Sequence, residues 1–220
     1  MPALFSLGQH AALRQAASQL LPGEHVFAYL DDLYVVCPRW RAATAFRTVA
    51  NAVADMAGVQ SHLGKLRAWC SGGGPAPADV AALGEHVWTA DLEPERNGIM
   101  VLGVPIGTKE FVQACGCNRL AEERTLLEII PELPDTQCAW VIPAMSAVPR
   151  ANHLLRTTPP SQVQEYARAH DTALWQTLHK LLGLSEESAE AEADDLHRDL
   201  ATLPARMGGL GLRSAERTST

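Results

Sequence analysis

No apolar run in this chain approaches the roughly 20 residues that a membrane helix requires. Met1 to Gln9 also lacks the basic start and long apolar core of a secretory signal. The expectation is an intracellular protein, nuclear or cytoplasmic, with no membrane partner. A disulfide framework is missing too: the five cysteines (Cys37, Cys70, Cys115, Cys117, Cys138) are odd in number and scattered, which suits reduced, partly buried thiols. Cys115 and Cys117 form a C-x-C pair with no second pair at zinc-site spacing, and the eight histidines show no H-x-x-x-H or H-E-x-x-H pattern. Neither zinc nor an organic cofactor is expected. There is no internal repeat.

What is present is an ordinary globular composition, 47% hydrophobic and 20% charged over 220 residues, which excludes disorder along the whole chain. The net charge of −7 is awkward for a protein that grips phosphates. The excess is local, however. Glu186, Glu187, Glu190, Glu192, Asp194, Asp195 and Asp199 stand against Arg198 alone, so this stretch carries −6 and the remainder only −1. A basic groove elsewhere remains compatible with the composition. The stretch itself reads as a solvated helix face or a linker.

Leu4, Leu7, Leu13, Ala17, Leu20 and Leu21 follow helical spacing until Pro22-Gly23. Val26 to Val36 is rich in β-branched and aromatic residues and is interrupted only by Asp31-Asp32, predicting two strands folded back at an acidic turn. Trp40, Ala43, Phe46, Ala50, Val53 and Met56 predict a second helix, closed by Gly58. Leu63 to Trp69 reads as a strand. Ser71 to Pro77 reads as a flexible Gly/Pro loop, since no helix start with Lys-Ser/Thr follows it. Ile99 to Val104 reads as a strand, with Pro105 to Gly107 as the turn it enters. From Lys109 the pattern is helical: Leu120, Leu127 and Ile130 on one helix, Asp135 capping another. Ser161 and Gln164 offer a capping box for a third, lined by Val163, Ala167, Leu174, Leu178 and Leu181.

Two adjacent carboxylates at a hairpin turn repel each other, and a divalent cation relieves that cost. Mg²⁺ suits such a site, since it favours one or two carboxylates completed by substrate phosphates. Aspartate is also a common turn residue, so the pair by itself reads equally as a solvated hairpin.

The run Phe27 to Val36 resembles the catalytic hairpin of reverse transcriptases, with Tyr29-Leu30-Asp31-Asp32 as the Tyr-x-Asp-Asp box. Gly58 to Lys65 resembles the next motif, a glycine-led turn into a strand bearing a lysine. Val101 to Gly107 resembles the following primer-grip hairpin in its non-LTR retrotransposon form. Pro149 to Arg156 and Leu203 to Leu212 resemble segments downstream of such domains, and Met1 to Phe5 the tail of the motif before the hairpin.

The resemblance implies an α/β (α+β) chain: part of a reverse-transcriptase palm over 1–107, with an antiparallel sheet and flanking helices. A helical thumb-like region over 108–183 and an acidic linker with a Gly-rich tail over 184–220 would follow. It implies a domain truncated at its N-terminus, with the fingers and the palm strand bearing the first aspartate outside this sequence. Asp31 and Asp32 would be catalytic and hold Mg²⁺ or Mn²⁺. Lys65 would steady or protonate the leaving pyrophosphate. Tyr29, Leu102, Gly103, Arg150 and Arg156, with Arg206, would contact nucleic acid. The implied partners are an RNA template, a DNA primer and the N-terminal half of the polymerase. The implied function is a fragment of an RNA-directed DNA polymerase, inactive alone. The alternatives are a non-enzymatic retroelement relic or helical binding module and, more weakly, a phosphohydrolase using the Asp pair.

Overall fold

A computed structural model describes residues 2–183 and 191–219. The chain is mixed α/β and mostly helical, with two small antiparallel sheets flanked by helices. It divides into two compact units, Met1–Glu93 and Pro94–Thr220.

In the first unit, α1 (Pro2–Gln19) is followed by strands β1 (His25–Tyr29) and β2 (Asp32–Val36), then α2 (Ala42–Ala57) and the short α3 (Ala78–Ala81). The helix pair closes on small residues: Ala12 and Ala16 of α1 are buried against Val49, Ala52 and Val53 of α2, with Val26, Leu33 and Val35 of the hairpin packed alongside. This stripe is rotated from the expected one. Trp40 falls in a 3₁₀ turn (Arg39–Arg41) before α2 and is 76% exposed, because alanines let the helices approach where large side chains would hold them apart. Gly58 ends α2 in the left-handed conformation, its N–H donating to Ala54 O, as expected of a C-terminal glycine.

The expected strand over Leu63 to Trp69 does not form. Leu63–Lys65 is a 3₁₀ turn, with Lys65 N and Leu66 N donating to His62 O and Leu63 O. Arg67 Nη1 donates to Gly64 O (2.9 Å) and Leu66 O (2.7 Å), occupying carbonyls that a ladder would need. Only an isolated parallel bridge, Ala68 to Trp88, survives. Each sheet of the described residues is therefore a two-stranded hairpin.

The second unit holds β3 (Gly98–Val101), β4 (Val104–Gly107), α4 (Lys109–Ile129), α5 (Thr136–Ile142), α6 (Val148–Thr157), α7 (Pro160–Leu181), α8 (Ala191–Thr202) and α9 (Ala215–Thr218). Thr108 caps α4 by accepting from Phe111 N, and Asp135 caps α5 by accepting from Gln137 N and Cys138 N. A π-helical turn, Pro143–Ala147, joins α5 to α6, since Pro143 lacks the N–H that a regular helix would use there. The expected capping box does not form. Pro159 and Pro160, whose fixed φ suits a helix start, begin α7 two residues earlier, which puts Ser161 inside the first turn. The core gathers Leu127, Ile130, Leu154, Val163, Leu174 and Leu178 from α4, the turn after it, α6 and α7. Each such side chain contributes about 1.5–3 kcal/mol by leaving water. Gly116 lets α7 come close to α4; a Cβ there would lie 3.3 Å from Tyr166 Cβ.

The acidic stretch falls partly outside the described residues, at 184–190. Its later part is helical in α8.

Candidate functional site

The register of the first hairpin fixes what its two faces carry. His25 pairs with Val36, Val26 with Val35, Phe27 with Tyr34, Ala28 with Leu33 and Tyr29 with Asp32. Opposed residues share a face and successive pairs alternate. Val26, Val35 and Leu33 turn to the core, which leaves Phe27, Tyr29, Asp32 and Tyr34 on the outer face. Phe27 and Tyr29 are 57% and 58% exposed.

The connection is the two-residue loop Leu30-Asp31. Leu30 alone of the two has a positive φ, 56°, at the position where glycine is the usual residue of a tight hairpin turn. A leucine held there costs about 1 kcal/mol. Asp31 sits at the tip and Asp32 opens the return strand, both exposed. The base of this hairpin is anchored. Glu24, buried just before β1, accepts from Arg41 Nε (2.9 Å) and from Leu21 N (3.0 Å). The Arg41 guanidinium, with the Leu21 N–H second, holds the Glu24 carboxyl below the usual range.

Lys65 lies exposed at the end of its 3₁₀ turn, in the same unit but not on the hairpin. Among the described residues no group of three or more His, Cys, Asp or Glu side chains is placed to hold a metal. The donor set at the turn is thus two adjacent aspartates. Their hard oxygens fit one divalent cation such as Mg²⁺, and they cannot by themselves furnish the ligands of a two-ion site.

In the second hairpin Gly98 pairs with Gly107, Ile99 with Ile106, Met100 with Pro105 and Val101 with Val104. The turn is Leu102-Gly103, with φ of 51° and 78°, the two positive values of a type I′ connection. Pro105 to Gly107, expected as a turn, is the return strand. Gly98 and Gly107 are required at its base: a Cβ on Gly98 would collide with the Phe111 ring of α4, and one on Gly107 with the backbone of Asn97 and Gly98 and then with the same ring. The tip is tethered. His153 Nε2 lies 3.1 Å from Leu102 O, and because a carbonyl only accepts, Nε2 donates. His153 stands on the exposed side of α6 together with Arg150 and Arg156, at i, i+3, i+6. His153, which sequence reasoning did not single out, thus joins Leu102 and Gly103 to α6, where Arg150 and Arg156 lie exposed three residues before and after it. Arg206 is exposed in a 3₁₀ turn, Ala205–Met207.

Over an alignment of 220 residues the chain is 28% identical to the retrotransposable element SLACS 132 kDa protein of Trypanosoma brucei gambiense. The likeness points to a retroelement origin. It covers 96% of this chain, which spans only 16% of that protein's length. No family model and no solved structure matches the chain.

Sequence reasoning also missed a polar group at the centre of the helical unit of this retroelement-like chain. Glu123 of α4, 2% exposed, accepts from Tyr166 Oη (2.8 Å) and pairs with His170 Nδ1 (2.8 Å), both on α7. Burial, and then the Glu123 charge, push the Tyr166 phenol far above its usual range. The signal was available: Glu123 interrupts the stripe Val112, Gly116, Leu120, Leu127, and His170 the stripe Val163, Ala167, Leu174. A buried carboxylate that bridges two helices fixes their register, since sliding either would leave it unpaired at a cost of about 1–3 kcal/mol.

Proposed function

We propose that this chain is part of an RNA-directed DNA polymerase of retroelement origin, and that the first hairpin carries its metal-binding carboxylates. The observation that supports this best is the Leu30-Asp31 turn. It presents Asp31 at an exposed tip beside Asp32 and Tyr29, inside a Tyr-x-Asp-Asp sequence and in a chain similar to a retrotransposon protein. Asp31 and Asp32 would hold Mg²⁺ or Mn²⁺, and the ion would supply electrophilic stabilisation of phosphoryl oxygens. Asp32 and Tyr29 share the outer face, where Tyr29 would pack against the primer end. Lys65 would offer a proton to departing pyrophosphate. The surface of Leu102, Gly103, Arg150 and Arg156 would contact template–primer phosphates, with His153 holding hairpin and helix together.

Two carboxylates on one turn supply one side of a two-ion site, so a further acidic ligand and the nucleotide-positioning elements would come from another polymerase segment. The reading is tested by primer extension on an RNA template with Mg²⁺, using the chain alone and the chain mixed with a supplied N-terminal polymerase segment. The chain alone should not extend, and the mixture should. Failure of every such mixture to extend, in chains shown to be folded, would favour a non-enzymatic relic.

A further inference from the structure

We propose that His86 is a positioning residue for Lys65, tying the turn that carries the lysine to the segment 84–89. The inference rests on the reading of Lys65 as the group that meets departing pyrophosphate. Lys65 is exposed and makes no ion pair among the described residues. No partner fixes its ammonium group, so the backbone beneath it sets where the long, flexible side chain reaches. That backbone is the 3₁₀ turn Leu63–Lys65, and its carbonyls show what holds it. His62 O and Leu63 O accept from Lys65 N and Leu66 N, each at 3.0 Å. Gly64 O and Leu66 O accept from Arg67 Nη1. These bonds are local and would travel with the turn.

His86 donates to the turn from outside it. Its Nε2 lies 3.0 Å from Leu63 O, across a sequence separation of 23 residues. A carbonyl only accepts, so Nε2 donates, and it carries the proton in that neutral tautomer and in the imidazolium alike. The segment behind the ring is fixed. Val87 and Trp88, which follow His86, are buried in the apolar cluster with Val80 and Ala90. Ala68 N donates to Val87 O (2.7 Å) and Thr89 N to Ala68 O (3.0 Å), so the same segment also holds the chain just beyond the turn. Gly84 leaves room for the imidazole, since a Cβ there would lie 2.9 Å from His86 Cε1. The ring therefore spans from an anchored segment to an exposed turn. Proton transfer to a leaving group needs the donor within hydrogen-bond reach, and a small misplacement lowers the rate.

The test compares the native chain with His86→Phe and His86→Gln, with folding checked by circular dichroism and melting. Amide hydrogen exchange at Lys65 and Leu66 should accelerate about fivefold in His86→Phe, the effect of one hydrogen bond, and less in His86→Gln, whose amide can donate. Exchange at Ala68 should not change. In primer extension with a supplied N-terminal polymerase segment, His86→Phe should lower kcat by up to about fivefold with KM unchanged. His86→Gln should restore part of that loss. Because the imidazole acts through Lys65, the double variant of Lys65→Ala with His86→Phe should be no slower than Lys65→Ala alone. His10→Phe, on the exposed side of α1, should change neither readout. Unchanged exchange in folded His86→Phe, losses that multiply in the double variant, or an equal loss in His10→Phe overturns the proposal. If no mixture extends, the polymerase reading fails, and the exchange rates alone decide the tether.

Discussion

The two hairpins solve the same local problem and are held in opposite ways. Each folds back over a two-residue loop whose first residue is a leucine in the left-handed region, Leu30 at 56° and Leu102 at 51°. The second is locked at both ends. Phe111 seals the base where only glycine fits, and His153 bonds the tip carbonyl. The first is anchored at its base by Glu24 and Arg41 and along one face by Val26, Leu33 and Val35, and its tip offers two exposed carboxylates. A hairpin that only shapes a surface can be rigidified by its neighbours. Backbone strain and electrostatic repulsion remain at the open tip of the first, as they would at a turn that receives a cation and a substrate, the role proposed for it.

The strongest way to break the contrast is at the locked base. Gly98→Ala should destabilise the second unit by about 1–3 kcal/mol in chemical denaturation, because the new methyl meets the Phe111 ring. A neutral result would mean that the ring is not held there. Next comes the tether. His153→Phe should cost about 1 kcal/mol by removing the donor to Leu102 O, and His153→Gln should recover part of it. Hydrogen exchange at the hairpin amides should accelerate in His153→Phe more than in His153→Gln.

At the open tip, Leu30→Gly should relieve the left-handed strain and leave stability unchanged or raised by up to about 1 kcal/mol. A large loss would show that Leu30 packs more firmly than its 38% exposure indicates. The smallest effect is expected at the base of the first hairpin. Glu24 titrates below its ordinary value of 4.5 because Arg41 stabilises the charged form. Its contribution to stability is therefore present above that value and lost as pH falls through the lower, folded-state value. Glu24→Gln should lower stability modestly at neutral pH, change it little at low pH where the contribution is already lost, and so flatten the acid limb of the profile.

Much of this architecture was legible in the sequence, and the exceptions have common causes. The Val26–Val36 hairpin announced itself because two acids broke an otherwise β-favouring run, and α4, α7 and their apolar stripes followed from spacing. Leu63–Trp69 misled because residue type suggests a strand but not whether a partner will pair with it, and there the Arg67 side chain takes the carbonyls. The stripe on α2 misled because large apolar residues were given more weight than the alanines that set the helix separation. At the candidate site the aspartates were visible as a motif. His153 was not, since its role depends on a carbonyl fifty-one residues away. The Glu123–His170 pair was hidden for the same reason, although both residues interrupt apolar stripes.

Metal-dependent primer extension tests the role of the open hairpin most directly, with the native chain and Asp31→Asn each combined with a supplied N-terminal polymerase segment. Extension should require Mg²⁺ or Mn²⁺ and should fall by about 100-fold or more in Asp31→Asn. Lys65→Ala should slow extension without abolishing it. Undiminished extension by a folded Asp31→Asn chain would contradict the assignment of the Leu30-Asp31 turn as the metal-binding tip.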